Sequence, residues 1–360
     1  MVVDIREVAR RSGVSPATVS RALNGRPDVS EATRERVMKT ASELGYLPNE
    51  QARTLVRRRS DTVGLIWDTT YVSVGRQPFL QDLLVALKMA LADTGYHLML
   101  LSPRGGDEST DGFLRIAAQH SLEGIVLMAV DAHQPAVDAL IASARPVVGL
   151  DLPIHGRRAT NVSTDNVGGA KMAVDHLVSL GHRQIAVISA RQDMLPAAQR
   201  HDGFMAAMAK HGLEVPDEYV GSGDFFLESG RRAMQRLLAL PMPPTAVFVG
   251  GDHMAVGAMQ AVYEAGLEVP GDISIVGFDD VEIAALVRPA LTTITQDYLA
   301  MGRAAVTILT ELIDEDRVDG RGPEAPPSVA ARFPALVPGS LVVRTSTGRV
   351  PTEQRQPHRS

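Results

Sequence analysis

Residues 5–49 read IREVARRSGVSPATVSRALNGRPDVSEATRERVMKTASELGYLPN, and the apolar spacing in this stretch decides the fold of the N-terminal part. Ile5, Val8 and Ala9 recur at helical spacing, and Ser12-Gly13 stops that helix and turns the chain. Ser15 is placed as an N-cap, with Pro16 at the first helical position, where a missing N–H costs nothing. The second helix runs to about Leu23, with Val19 and Leu23 facing inward, and Asn24-Gly25 ends it. A third helix starts after Ser30, carries Glu31 in its first turn and buries Val37, Ala41 and Leu44. Two short helices around a glycine turn, braced by a third, make a helix-turn-helix.

In that motif the second helix enters the DNA major groove, led by its N-terminal residues. The candidate DNA-contacting residues are Ser15, Pro16, Ala17, Thr18, Ser20, Arg21 and Asn24. Arg21 can pair bidentately with a guanine edge, and Ala17 or the Thr18 methyl can touch a thymine methyl. The competing reading is a three-helix bundle that docks on another protein. Short polar groups and an arginine on the outer side of the second helix, in place of an apolar patch, count against it.

The charge distribution agrees with a polyanion partner for this piece alone. Residues 1–60 hold 12 basic and 7 acidic side chains, a net +5, and the remainder holds 24 and 35, a net −11. The chain of 360 residues has no cysteine, which excludes disulfides, thiol nucleophiles and thiolate metal sites. No apolar run reaches membrane-spanning length, and the charged, amphipathic N-terminus lacks a signal-peptide stretch, so a cytoplasmic protein without membrane contact is expected.

From Thr62 onward strand and helix patterns alternate. Strands are expected over 63–67, 97–101, 124–128, 147–150, 185–189, 246–249 and 273–277, with helices between them. Such alternation implies parallel sheets covered on both faces, and the number of units implies two sheets rather than one. In such sheets ligands bind beyond the carboxyl ends of the strands. Asp151, Asp252 and Asp279 follow strands, Arg200 opens the helix after 185–189, Gln296 follows 292–295, and Phe225 lies in GDFF. Carboxylates, an amide, a guanidinium and an aromatic face suit a polyhydroxylated ligand. Taken singly, an Asp at a strand end is as often a helix cap or turn residue.

The first 60 residues resemble the headpiece of the Lac-repressor (LacI/GalR) family. The resemblance continues through VSTDNVGGAKMAVDHLVSLGHRQIAVIS, GDHMAVGAMQAVYEAGLEVPGDISIVGFDD and PALTTITQDYLAMGRAAV, to about residue 346. It implies an all-α helix-turn-helix headpiece plus an α/β body of two doubly wound parallel-sheet lobes, similar to periplasmic sugar-binding proteins. It implies a headpiece over 1–48, a hinge over 49–61 and a core over 62–346. The first lobe would take about 62–160 and 296–322, the second about 161–292 and 326–346, and 347–360 would be a disordered tail. In the hinge, the matching residues Asn49, Ala52 and Leu55 would contact DNA, with Leu55 as an apolar wedge in the minor groove. Arg200, Phe225, Asp252, Asp279 and Gln296 fall where the family contacts effectors, and Phe79 and Asp151 match more loosely.

Two departures limit residue-level transfer. Gly251-Asp252-His253 stands where many members carry Asn-Asp, and residues 68–77, DTTYVSVGRQ, look like an insertion. Enzyme readings find no support: G-x-G-x-x-G after a strand, G-x-x-x-x-G-K-[ST], G-x-S-x-G and H-E-x-x-H are all absent, and the 10 histidines show no ligand spacing. A solute-binding protein would share the body but lack the headpiece. The resemblance therefore implies a transcriptional repressor, with no cofactor or metal. It would act as a homodimer on a pseudo-palindromic double-stranded operator, controlled by a small-molecule effector, a sugar.

Overall fold

The structure is a computed structural model, and it describes residues 4–23, 26–46, 59–67, 78–102, 109–318 and 335–351. The chain divides into two units, Met1–Ser60 and Asp61–Ser360.

The first unit holds α1 (Ile5–Ser12), α2 (Pro16–Leu23) and α3 (Glu31–Glu43). The Asp4 carboxylate accepts the Glu7 N–H at 2.9 Å and starts α1. Gly13, at φ 68°, ends it in the left-handed conformation that glycine adopts without strain. The Ser15 hydroxyl accepts the Thr18 N–H at 3.1 Å, as an N-cap should. Ser30, at the N-cap of α3, makes no side-chain cap bond, and its hydroxyl donates to Thr33 Oγ1 at 2.9 Å. Val8, Ala9, Val19, Ala22, Val29, Val37 and Ala41 form one core, with Leu23 and Leu44 packed at its edge.

The second unit contains β1 (Thr62–Trp67), α4 (Pro78–Ala92), β2 (His97–Leu101), α5 (Gly112–Gln119), β3 (Gly124–Met128), α6 (Pro135–Ala142), β4 (Val147–Leu150) and β5 (Ala159–Thr164). It continues with α7 (Asn166–Ser179), β6 (Ile185–Ser189), α8 (Leu195–Lys210), β7 (Val220–Ser222), α9 (Leu227–Leu238), β8 (Ala246–Val249), α10 (Asp252–Glu264) and β9 (Ser274–Asp279). The last elements are α11 (Glu282–Leu286), β10 (Thr292–Thr295), α12 (Tyr298–Val318), β11 (Ala335–Val337) and β12 (Leu341–Val342).

These strands form two six-stranded sheets, ordered β2-β1-β3-β4-β5-β11 and β7-β6-β8-β9-β10-β12. Every pairing is parallel except β10 with β12. The strands are apolar on both faces because each sheet has a core above and below it. The first is covered by the cluster of Val63, Leu65, Val126 and Leu309 on one side and that of Ile66, Phe113, Leu127 and Leu140 on the other. The second is sandwiched between Met234, Val249, Met259 and Ile275 and the ring cluster of Phe204, Phe248 and Phe278.

The lobe boundaries differ from the sequence expectation. The first crossing falls at Asp165, not near 161, because β5 pairs with β4 (Gly149↔Asn161) and with β11 (Val337↔Thr164) along its full length. Asp165 then accepts the Gly168 N–H at 2.8 Å and starts α7. The last crossing lies after Val337, not between 322 and 326, because β11 still belongs to the first sheet. Residues 347–350, expected in the tail, are instead bonded to the body. The Thr347 hydroxyl bonds to His176 Nε2 at 3.0 Å, the Gly348 carbonyl to His182 Nε2 at 3.1 Å, and Val350 N–H to the Leu180 carbonyl at 3.1 Å. His182 is fully buried, and the Gly348 carbonyl joins Thr245 and Ser274 in satisfying its ring.

Helices α9 and α10 approach closely at glycines. A Cβ on Gly257 would sit 1.9 Å from the Leu227 carbonyl oxygen, and one on Gly230 would sit 2.1 Å from that of Met254. Gly257→Ala is expected to destabilise the body by ~1–3 kcal/mol through overpacking, read as a lower denaturation midpoint with the slope unchanged.

Candidate functional site

Two surfaces emerge, one in each unit. In the first unit Ser15, Pro16, Ala17 and Arg21 are exposed on α2, while Thr18 and Ser20 are half-buried at its flanks. Arg21 is held near this face by Asp28, with Nη1 to Oδ2 at 3.2 Å, and by the Ala17 carbonyl at 3.3 Å. Both side chains of the ion pair are about half exposed, so it is weak and exchangeable. Asn24, Asn49, Ala52 and Leu55 lie outside the described residues.

In the second unit a cavity of about 270 Å³ opens between the two lobes, at the carboxyl ends of β3, β4, β6 and β9. This is where the strand order of each doubly wound sheet reverses and the helices leave on opposite faces. Asp151, Arg200, Phe225, Asp279 and Gln296 all line it, so five scattered sequence candidates come together in one place. Phe79 lies on α4, with its side chain outside the described part.

Asp252 does not line the cavity. Its Oδ1 accepts the Thr293 hydroxyl at 2.6 Å and its Oδ2 accepts the Val281 N–H at 3.0 Å. Burial pushes its carboxyl well above the usual carboxylate range, and the nearby Asp279 charge adds to that. The expected effector contact is therefore replaced by a structural one: Asp252 fixes the turn after β9. Gly277 leaves the room for it, since a Cβ there would lie 2.2 Å from Asp252 Oδ1.

Arg200 is almost fully buried, and its guanidinium is aligned by several groups. Nε donates to Asn166 Oδ1 at 2.9 Å and Nη1 to the Gly250 carbonyl at 2.8 Å. Nη1 also pairs with Asp279 Oδ1 at 3.0 Å, and Cζ lies 3.8 Å above the Phe278 ring. Phe278 packs edge-on to Phe248, which stacks on Phe204, so the guanidinium rests on the lobe core. Gln296 Nε2 donates to the same Asp279 oxygen at 2.6 Å. Burial raises the Asp279 carboxyl, and Arg200 and the Gln296 bond oppose that rise.

Asp151 faces these groups from the first lobe. Burial pushes its carboxyl up to about 6, with Arg200 and the Thr164 N–H pulling the other way. Its Oδ1 is buried with no hydrogen-bond partner among the described residues, so it is an acceptor available to a ligand donor. Asp151 (φ 50°), Phe225 (φ 71°) and Asp279 (φ 112°) all take positive φ, a conformation that costs non-glycine residues and concentrates at binding sites.

The sequence reading missed part of the wall. Asp131, His133, Gln192, Asp193 and His253 also line the cavity. Asp131 and His133 follow β3, and Gln192 and Asp193 follow β6, so the strand-end rule would have found them had it been applied to every strand. His253 occupies the departure noted after Asp252, and burial lowers its pKa, favouring the neutral ring. Met128, Leu152, Pro153, Met194 and Phe225 supply apolar surface. No cluster of metal-ligating side chains occurs among the described residues, and no described helix is long and apolar enough to cross a membrane.

The raised Asp151 carboxyl has a consequence for stability. Folding favours its protonated form, so stability contributed by this group is lost as pH rises from the unfolded value near 4 through 6. Above that range the ionised group costs at most ~3 kcal/mol. Asp151→Asn is therefore expected to raise the melting temperature at pH 8 and leave it unchanged at pH 3.5, as measured by calorimetry across pH.

Comparison with known proteins finds matches to both parts of the chain. Residues 4–49 match the bacterial regulatory proteins of the lacI family, and residues 174–347 match the periplasmic binding protein-like domain. The ribose operon repressor of Escherichia coli (strain K12) is 34% identical over 312 residues, covering 86% of this chain and 93% of the relative. The HTH-type transcriptional regulator CelR of Thermobifida fusca is 36% identical over 310 residues, covering 85% and 90%. Among solved structures, the Lac repressor dimer bound to operator and the anti-inducer ONPF superposes with a TM-score of 0.80 at 29% identity, covering 97% of this chain and 100% of that one. A complex of the transcriptional regulator CelR with cellobiose gives 0.70 at 30% identity, covering 96% and 99%. With a headpiece match and a relative aligned over nearly its whole length, the chain belongs to the LacI family of bacterial regulatory proteins.

Proposed function

We propose that the chain is a sequence-specific transcriptional repressor whose DNA affinity is set by a carbohydrate bound between the lobes of its body. The observation that carries this reading is the interlobe cavity. It combines hydroxyl acceptors from both lobes, Asp151 and Asp279, with a fixed guanidinium and an aromatic face, in a chain that also presents a helix-turn-helix. Acids that accept hydroxyl protons and a ring that packs on the apolar face of a sugar are what a polyol needs. The ribose operon repressor and the CelR–cellobiose complex are relatives whose names point to sugars.

The protein works in the cytoplasm, where its DNA partner is, and carries out no catalysis. It acts as a homodimer that places two α2 helices on the two halves of a pseudo-palindromic operator. The exposed side chains Val85, Met89 and Leu100 on α4 and β2 of the first lobe give a second copy apolar surface to cover. The sugar biases the arrangement of the two lobes, and with it the DNA affinity, by the difference in its affinity for the two arrangements.

Two measurements test this. Duplexes selected by the protein from a random pool are expected to lose ~5- to 150-fold in affinity with Arg21→Ala, together with discrimination at one base pair per half-site. Unchanged affinity and base preference would remove α2 from the groove. In a thermal-shift screen of ribose, cellobiose and the common hexoses, at least one sugar is expected to stabilise the protein, and Phe225→Ala to weaken that shift. No shift with any sugar would rule out a carbohydrate effector.

A further inference from the structure

At the cleft wall five residues close a ring of hydrogen bonds. The Thr164 hydroxyl donates to Gln296 Oε1 at 2.5 Å, and Gln296 Nε2 donates to Asp279 Oδ1 at 2.6 Å. The same Asp279 oxygen takes Arg200 Nη1 at 3.0 Å, and Arg200 Nε donates to Asn166 Oδ1 at 2.9 Å. Asn166 Nδ2 then donates to the Thr164 carbonyl at 3.1 Å, so the ring begins and ends on one residue. Thr164 and Asn166 are 0% and 1% exposed.

The placement of these residues gives the ring a direction. Arg200, Asp279 and Gln296 line the cavity, and Thr164 and Asn166 do not. Thr164 is the last residue of β5 in the first sheet, Asn166 opens α7 in the second lobe, and Gln296 follows β10 at the second crossing. The Thr164–Gln296 bond therefore ties two interlobe crossings together, and the rest of the ring ties them to the charged pair that a ligand meets.

We propose that this ring communicates occupancy of the cleft to the first lobe, with Thr164 and Asn166 as positioning residues that touch no ligand. The inference rests on reading the cleft as the effector site. Asp279 Oδ1 already accepts two donors, so a ligand hydroxyl that approaches it competes with Gln296 or Arg200. The Gln296 amide is planar: its oxygen serves the first lobe and its nitrogen serves the second. A shift of Asp279 therefore turns the amide and changes its hold on Thr164. Buried polar groups of this kind are costly to leave unpaired, so the ring moves between paired arrangements and does not simply loosen. A two-state element of that sort is what coupling between sites requires.

The test uses the full-length chain, a duplex selected from a random pool, and the sugars of the thermal-shift panel as probes. Thr164→Val removes the hydroxyl at nearly constant volume, and Thr164→Ser keeps it. Thr164→Val is expected to bind the duplex and to be stabilised by the same sugar as the wild type. Its sugar-induced change in duplex affinity is expected to fall ~5-fold or more, with Thr164→Ser responding normally. Asn166→Asp keeps the acceptor for Arg200, loses the bond to the Thr164 carbonyl, and is expected to reduce coupling likewise if Thr164→Val fails to fold. Wild-type coupling in both Thr164→Val and Asn166→Asp would overturn the inference, as would equal loss in Thr164→Val and Thr164→Ser. A wild-type chain that binds its duplex but is stabilised by no sugar overturns the effector reading itself, a separate outcome that removes the signal the ring would carry.

Discussion

The ion pair between Arg200 and Asp279 is the constraint on which the body of this protein is organised. A carboxylate with little solvent access is unfavourable unless a cation and donors meet it, and removing one partner of such a pair commonly costs ~3–5 kcal/mol. Here Arg200 supplies the charge and Gln296 the neutral donor, and both bonds end on one oxygen. Each group that satisfies Asp279 is itself held by a different part of the chain. Arg200 rests on the Phe278 ring and on Asn166, and Gln296 is held by Thr164. Satisfying one buried charge thus fixes the relative position of α7, α8, β9 and the first two crossings at the mouth of the cleft.

The sheets explain why this pair faces the cavity. Parallel strands end in turns that must leave room for the next helix, and polar side chains at those ends project toward the facing lobe. Two doubly wound lobes, joined at three crossings, present two such rims to each other, so Asp151 and Asp279 approach one cavity although 128 positions separate them. The raised Asp151 carboxyl and its unpartnered oxygen mark a wall that is incomplete without a hydrogen-bond donor. Positive φ at Asp151, Phe225 and Asp279 places strained backbone at the same rim.

Much of this was legible in the sequence because it is local. Gly13, Ser15-Pro16 and the apolar residues at helical spacing each act within one turn of themselves, and they define the headpiece without any long-range information. The strand-end rule found Asp151, Arg200, Asp279 and Gln296 because it concerns topology, not contacts. What stayed hidden depends on distant partners. Asp252 satisfies the same rule, yet Thr293 and Val281 claim both of its oxygens. The end of β5 could not be set at Thr164 without knowing that β11, some 170 residues later, pairs with it. Thr164 and Asn166 carry no motif, and their role is visible only when the ring closes in space.

An account in which the cleft and α2 belong to one switch makes a thermodynamic demand stronger than either binding event alone. If a sugar changes duplex affinity by some factor, the duplex must change sugar affinity by the same factor. The most direct measurement titrates the stabilising sugar into the protein with and without saturating selected duplex, alongside duplex titrations with and without saturating sugar. The account predicts two equal factors different from one. Sugar affinity that is identical in the presence and absence of the duplex would contradict it.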